Sequence, residues 1–261
     1  MEISLLGKKA LVGGSSGGIG KAIAEQLAAS GASVTLMARN SDKLKAVLTD
    51  LATSEGQTHQ YLKVDFSDFE GFKKIITNYF EVNTVDILVN NTQGPSAGNT
   101  LEKNMDDYQD AFNLLFKTVV FTTELALPNM MKNQWGRIIN VASVSVKEPL
   151  SYLALSNSIR ASVVTWAKSL ATDIGEKHIT VNSILTGYFD TERIAQLNAK
   201  KAEQLGISQD KVLDDMKSKV PIKRIGNPKE YGYLVTFLAS EKAAYITGTQ
   251  IPIDGGLLKS L

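Results

Sequence analysis

The segment Gly13-Gly14-Ser15-Ser16-Gly17-Gly18-Ile19-Gly20 lies between an apolar run, Lys9-Ala10-Leu11-Val12, and an alanine-rich helical stretch, Ala22 to Ala29. A strand, a glycine-rich turn and a helix in this order let the backbone reverse tightly and approach an anion closely. The first turn of the helix then offers free N–H groups and a partial positive charge at the place where a phosphate sits. Glycine clusters also mark plain turns, so it is the flanking strand and helix that point to nucleotide binding. What is done to the nucleotide is not written in this turn.

Strand-like runs recur at Ala10–Gly13, Ser33–Ala38, His59–Val64, Ile87–Asn90, Arg137–Ala142, Thr180–Leu185 and Gln250–Ile253, alternating with helical segments. Most are continuously apolar, the pattern of a parallel sheet covered on both faces. Parallel neighbours need helical crossovers, and the intervening segments are long enough to supply them. The expected fold class is therefore α/β, a single Rossmann-like doubly wound domain over residues 1–261. It has a seven-stranded parallel sheet, helices on both faces and ligands at the carboxyl ends of the strands. One stretch breaks the rhythm of short loops, Asp190 to Val220, rich in Lys, Asp, Glu and Gln. Two readings stay open for it: a solvated helix pair, or a mobile substrate lid over 190–220.

Composition removes several classes of function. The 28 basic and 27 acidic residues leave a net charge of +1, no footprint for nucleic acid or an anionic membrane, so a small-molecule partner is expected. Without cysteine there are no disulfides, no thiolate chemistry and no cysteine-ligated zinc, which fits a cytoplasmic protein. His59 and His178 are too few for a histidine metal cluster, and no metal is expected. The N-terminus has no basic segment ahead of a long apolar stretch, and no run approaches the roughly 20 residues of a membrane-spanning helix.

After the second strand, Ala38 stands where a carboxylate would bond an adenosine ribose hydroxyl, and Arg39 follows it. An arginine there pairs with a 2′-phosphate, so NADP(H) is favoured over NAD(H), the alternative being a plain surface arginine. Asp65 ends the third strand, and Asn90-Asn91-Thr92-Gln93-Gly94 ends the fourth. With these motifs, nearly the whole chain resembles the short-chain dehydrogenase/reductase family, in particular its 3-oxoacyl-carrier-protein-reductase-like members. On that resemblance Gly14, Gly18 and Gly20 match the cofactor glycines, and Asp65 matches the acidic residue beside the adenine. Asn91 matches an asparagine of the Asn-Asn-Ala-Gly motif, with Thr92-Gln93 in place of Ala-Gly. Gly187 and Thr191 resemble the loop that meets the nicotinamide, with Thr186 where proline is usual. Tyr245-Ile246-Thr247-Gly248 and Ile253-Asp254-Gly255-Gly256 are also similar to the family. The implied cofactor contacts are Gly14, Ser15, Ser16, Gly18, Ile19, Gly20, Arg39, Asp65, Phe66, Asn91, Gly187 and Thr191.

The chemical centre departs from the family. Members use a serine, a tyrosine and a lysine, with an asparagine holding a water relay. Ser143 matches the serine, but the tyrosine position is Ser156 and the lysine position, four residues on, is Arg160. Leu115 takes the asparagine position, with Asn113 two residues away. A serine hydroxyl is a weaker acid than a phenol by about five pH units, or roughly 7 kcal/mol. A guanidinium does not give up its proton, so a lysine-like relay is lost.

Three side chains are candidate replacements. Tyr152 precedes Ser156 by four residues and shares its face if already helical, although its side chain would lean the wrong way. Lys147, in the loop 144–149, is either a cationic clamp or solvated surface; Tyr188, beside Gly187, either meets substrate or packs. In an active enzyme, Ser143 and Ser156 bond a carbonyl while Arg160 stabilises negative charge. The function expected is thus an NADP(H)-dependent oxidoreductase for a carbonyl, such as a 3-oxoacyl group, or the matching alcohol, with an altered proton donor. The alternative is a catalytically inactive NADP(H)-binding sensor or partner subunit. The resemblance also implies a homotetramer or homodimer, built through helices carrying Gln109–Met131 and Ser151–Ile174 and through the last strand.

Overall fold

In the computed structural model, which describes residues 2–260, seven parallel strands form one sheet in the order β3-β2-β1-β4-β5-β6-β7. The strands are β1 (Lys9–Gly13), β2 (Ser33–Ala38), β3 (Gln60–Lys63), β4 (Ile87–Asn90), β5 (Gly136–Val141), β6 (Ile179–Thr186) and β7 (Gln250–Ile253). They fall where the apolar runs predict, with ends displaced by a residue or two, as at β3 and β5. The order reverses at β1, whose neighbours are β2 and β4. That reversal opens a crevice at the carboxyl edge.

Alternation along the strands explains their unbroken apolar sequence. Ala10 and Val12 of β1 and Ile87 and Val89 of β4 point to one side, where they meet α1 (Gly18–Ala29), α2 (Ser41–Asp50) and α9 (Pro228–Ala239). Leu11 and Leu88 point to the other, against α3 (Phe69–Val82), α5 (Thr118–Asn133) and α6 (Ala154–Ile174). Along β4, β5 and β6 nearly every position is thus buried, and each fully buried Leu, Ile or Val contributes about 1.5–3 kcal/mol.

Two departures from the sequence expectation, and one of the two readings left open for residues 190–220, bear on the site. The helix expected from Ser151 starts only at Ala154, so Tyr152 lies in the preceding turn and the shared-face argument for it does not hold. The helix carrying Gln109–Met131 is two helices, α4 (Met105–Phe112) and α5, joined by one turn of π-helix, Asn113–Lys117. Residues 190–220 carry a helix pair, α7 (Glu192–Leu205) and α8 (Gln209–Lys219). Among the described residues no helix is long and apolar enough to cross a membrane.

A reciprocal cap holds the start of α9. The Asn227 side chain accepts from Lys229 N at 2.9 Å, while Glu230 accepts from Asn227 N at 2.7 Å and from both terminal nitrogens of Arg224 at 2.7 and 2.6 Å. The Arg224 guanidinium, then the Asn227 N–H, hold the Glu230 carboxyl down to about 2, against an ordinary 4.5. Its contribution to stability is complete above that ordinary value and is lost as pH falls toward the lowered one. Thermal melts between about pH 5 and 2 should therefore show a shallower fall in Tm for Glu230→Gln than for wild type, by a small margin because the pair is exposed.

Candidate active site

The glycine turn closes on the loop that follows β4. A Cβ on Gly13 would lie 2.2 Å from the backbone oxygen of Asn91, and one on Gly20 would lie 2.2 Å from that of Gly14. Gly14 itself has φ +57°, the left-handed region. Asn91 locks the contact by donating from Nδ2 to the Gly13 carbonyl at 3.0 Å. Gly17 precedes α1 with no side-chain cap, unlike Asn40, Asp68, Thr191 and Asn227 before α2, α3, α7 and α9. The first N–H groups of α1 thus remain for an outside acceptor.

The other residues expected to touch cofactor divide into two sets. Ser16 and Ile19 are half-buried on the turn, and Arg39 is exposed at the end of β2. Asp65 stands across from Arg39: burial pushes its carboxyl up, but bonds from the Ser67 hydroxyl and N–H, with the Arg39 charge, outweigh this and leave it below its ordinary value. Thr191 caps α7, accepting from Ile194 N at 3.3 Å, and its methyl lies 3.2 Å from where a Cβ on Gly18 would stand. Gly187 donates to the Ile253 carbonyl at 3.1 Å, in a contact too close to Asp254 for any side chain. Ser15 and Phe66 turn inward instead. The Ser15 hydroxyl donates to the Val12 carbonyl at 3.0 Å and accepts from Met37 N at 2.9 Å, tying β1 to β2, and Phe66 packs 5.3 Å from Phe72. Their side chains serve the scaffold.

Beyond the turn, β5 and α6 bring the altered centre together. Ser143, half-buried, follows β5 and accepts from Ser145 N at 3.1 Å. Ser156 is 8% exposed in the first turn of α6. Arg160, one turn further, donates to the Val141 carbonyl, and burial pulls its guanidinium down while the neighbouring Tyr231 phenol opposes the shift. Leu115, in the π turn, is 2% exposed and lines a cavity of ≈ 10 Å³ with Asn90, Thr92, Asn140 and Arg160. That is room for about one water. Asn113 faces away, accepting from Gln109 at 3.1 Å. Lys147 is exposed at the end of the short helical turn Val144–Val146. Tyr152 and Tyr188 share a hydroxyl–hydroxyl hydrogen bond; burial, then this neighbour, push the Tyr152 phenol up to about 12.

Sequence reasoning missed two features of the edge. Asn90 donates from Nδ2 to Asn140 Oδ1 at 2.9 Å and to Thr123 at 3.2 Å, while Asn140 Nδ2 has no bond partner among the described residues. The signal was two asparagines at equivalent ends of apolar strands. Tyr231 is fully buried on α9, with its hydroxyl 3.0 Å from Thr186 Oγ1. In sequence it passes for an ordinary core aromatic.

A glycine cradle that side chains would fill, an uncapped helix start and a crevice at the switch point fit a dinucleotide, and they define a Rossmann-type nucleotide protein. The sequence matches the family described as Enoyl-(Acyl carrier protein) reductase over residues 14–258. It is 30% identical to 3-oxoacyl-[acyl-carrier-protein] reductase FabG of Aquifex aeolicus over 98% of this chain and 100% of the relative. It is 32% identical to NADPH-dependent reductase BacG of Bacillus subtilis over 97% and 99%. The crystal structure of L-sorbose reductase from Gluconobacter frateurii, complexed with NADPH and L-sorbose, superposes with a TM-score of 0.93 at 31% identity, covering both chains completely. The chain belongs to the short-chain dehydrogenase/reductase family.

The cradle makes a contrast between two glycines measurable. Gly20→Ala is expected to lose about 1–3 kcal/mol in urea denaturation, because the methyl meets backbone, and to weaken dinucleotide binding about tenfold or more. Gly17→Ala, with open space around it, should stay within about 0.5 kcal/mol of wild type.

Proposed function

We propose that this protein is an NADP(H)-dependent oxidoreductase that reduces a carbonyl group, or oxidises the matching alcohol, with an altered proton donor. The observation that carries the reading is the cradle itself, formed by Gly13, Gly14 and Gly20 against Asn91, with Arg39 exposed beyond it. Relatives described as NADPH-dependent and a structure holding NADPH and a sugar support the cofactor and a small-molecule substrate. Ser16, Ile19, Asn91 and Thr191 hold the dinucleotide along the edge, and Gly187 leaves room for the chain to pass beside it.

The cofactor supplies the hydride; the protein places and polarises the acceptor. Ser143 and Ser156 donate to the carbonyl oxygen, and Arg160, its direction set by the Val141 carbonyl, stabilises the charge that develops there. Neither hydroxyl is acidic enough to release a proton easily at neutral pH. Tyr152, at about 12, is a poorer acid than a free phenol and a better one than serine. Lys147 lends positive charge near the same rim. Reduction by such a set is slow or restricted to carbonyls that are already activated, of which a 3-oxoacyl group is one.

A second reading is favoured by one specific contact. Arg160 donates to a backbone carbonyl, and the small cavity beside it is lined by the apolar Leu115, with room for about one water. A centre so occupied suits a silent NADP(H)-binding sensor or partner subunit. Binding of NADPH and NADH followed by fluorescence, then NADPH oxidation with short 3-oxoacyl thioesters and ketones, separates the two. The active reading expects turnover by wild type. Tight binding without turnover, together with activity gained about a hundredfold by combined Ser156→Tyr and Arg160→Lys, transfers the assignment to the silent one.

A further inference from the structure

An ion pair bridges the two sides of the cleft at its adenosine end. Lys43 Nζ lies 3.0 Å from Glu192 Oε2, joining the first turn of α2 to the first residue of α7. Both side chains are more than half exposed. Such a pair contributes about 0–1 kcal/mol and yields readily to a stronger anion.

Neighbouring contacts fix where the bridge runs. Beside Glu192, the Thr191 methyl packs over Gly18 of the cradle, and Arg193 donates to the Pro95 carbonyl in the loop after β4 at 3.1 Å. Ahead of Lys43, Asn40 caps α2, accepting from Lys43 N at 3.0 Å, and Arg39 stands immediately before that cap. The charge of Arg39 is felt by Asp65 at the end of β3. Two cations therefore flank the start of α2, one facing Asp65 and the other held by a carboxylate from α7.

We infer that Lys43 is a second cation for the adenosine 2′-phosphate, beside Arg39, and that Glu192 is a built-in competitor for it, so that the bound phosphate frees the start of α7. This rests on the NADP(H) reading of the site. A phosphate monoester carries about −1.5 to −2 charge at neutral pH and three acceptor oxygens, against the single charge of Glu192. Exchange at Lys43 thus favours the phosphate. NAD(H), with a hydroxyl at that position, leaves Lys43 on Glu192 and the bridge closed. One group on the ribose is read at α2 and reported on the helix that begins five residues after Gly187.

Calorimetry with four ligands tests this: NADPH, NADH, and the fragments 2′,5′-ADP and 5′-AMP, which lack the nicotinamide. Lys43→Gln is expected to weaken NADPH and 2′,5′-ADP about tenfold and to leave NADH and 5′-AMP within about twofold. Glu192→Gln is expected to tighten the two phosphorylated ligands about two- to fivefold, and this gain should vanish in the Lys43→Gln background. A gain that persists in that background, or equal effects on 2′,5′-ADP and 5′-AMP, overturns the competition. Wild type that prefers NADPH while Lys43→Gln keeps that preference overturns the inference alone. Wild type that binds NADPH no tighter than NADH overturns the NADP(H) reading and the inference with it.

Discussion

The approach of the β4 loop to the end of β1 is the constraint on which the carboxyl edge depends. At Gly13 and Gly20 the backbone meets backbone oxygens across a gap that no side chain can enter. Asn91 turns that proximity into a bond by donating to the Gly13 carbonyl, and Ser15 ties the same turn to β2. The start of α1 is thereby aimed into the crevice between β2 and β4, with its first N–H groups uncapped. Arg39 and Asp65 are then placed by the ends of β2 and β3, and Thr191 by the start of α7, where its methyl meets Gly18.

Much of this was legible in the sequence for plain reasons. A strand covered on both faces is rich in apolar side chains, and β4, β5 and β6 are buried along their length around Ile87-Leu88-Val89, Ile138-Ile139 and Ile184-Leu185. The glycine turn is legible because its steric demand leaves almost no choice of residue. Side-chain direction was less accessible: Ser15 and Phe66 sit in binding-motif positions, yet both face inward, and nothing in their spacing says so. Tyr152 was misplaced because the start of α6 depends on Gly98, whose carbonyl accepts from Ala154 N at 3.1 Å from far along the chain. The partnership of Tyr231 with Thr186 joins residues 45 apart and leaves no local pattern at all.

The reaction centre shows how a scaffold can outlast the chemistry first expected of it. The π turn still brings position 115 to the cavity, and α6 still presents positions 156 and 160, but the groups delivered are an aliphatic side chain, a weak hydroxyl and a permanent cation. Arg160 is held by the carbonyl that ends β5, so its orientation is inherited from the sheet. Placement and acidity are thus separate properties here: the fold supplies the first, and three side chains have altered the second.

The bond between Asn90 and Asn140 carries a consequence for the sheet as a whole. Aliphatic contacts are non-directional, and sliding one strand by two residues returns each side chain to its own face. Packing alone therefore separates neighbouring alignments of β4 and β5 weakly. Asn90 sits directly opposite Asn140, and their amides meet only in that alignment. Any other would leave polar amides stranded among hydrocarbons. The pair thus acts as an index mark at the middle of the sheet, and fidelity of strand alignment, more than added stability, is what a buried amide contributes there.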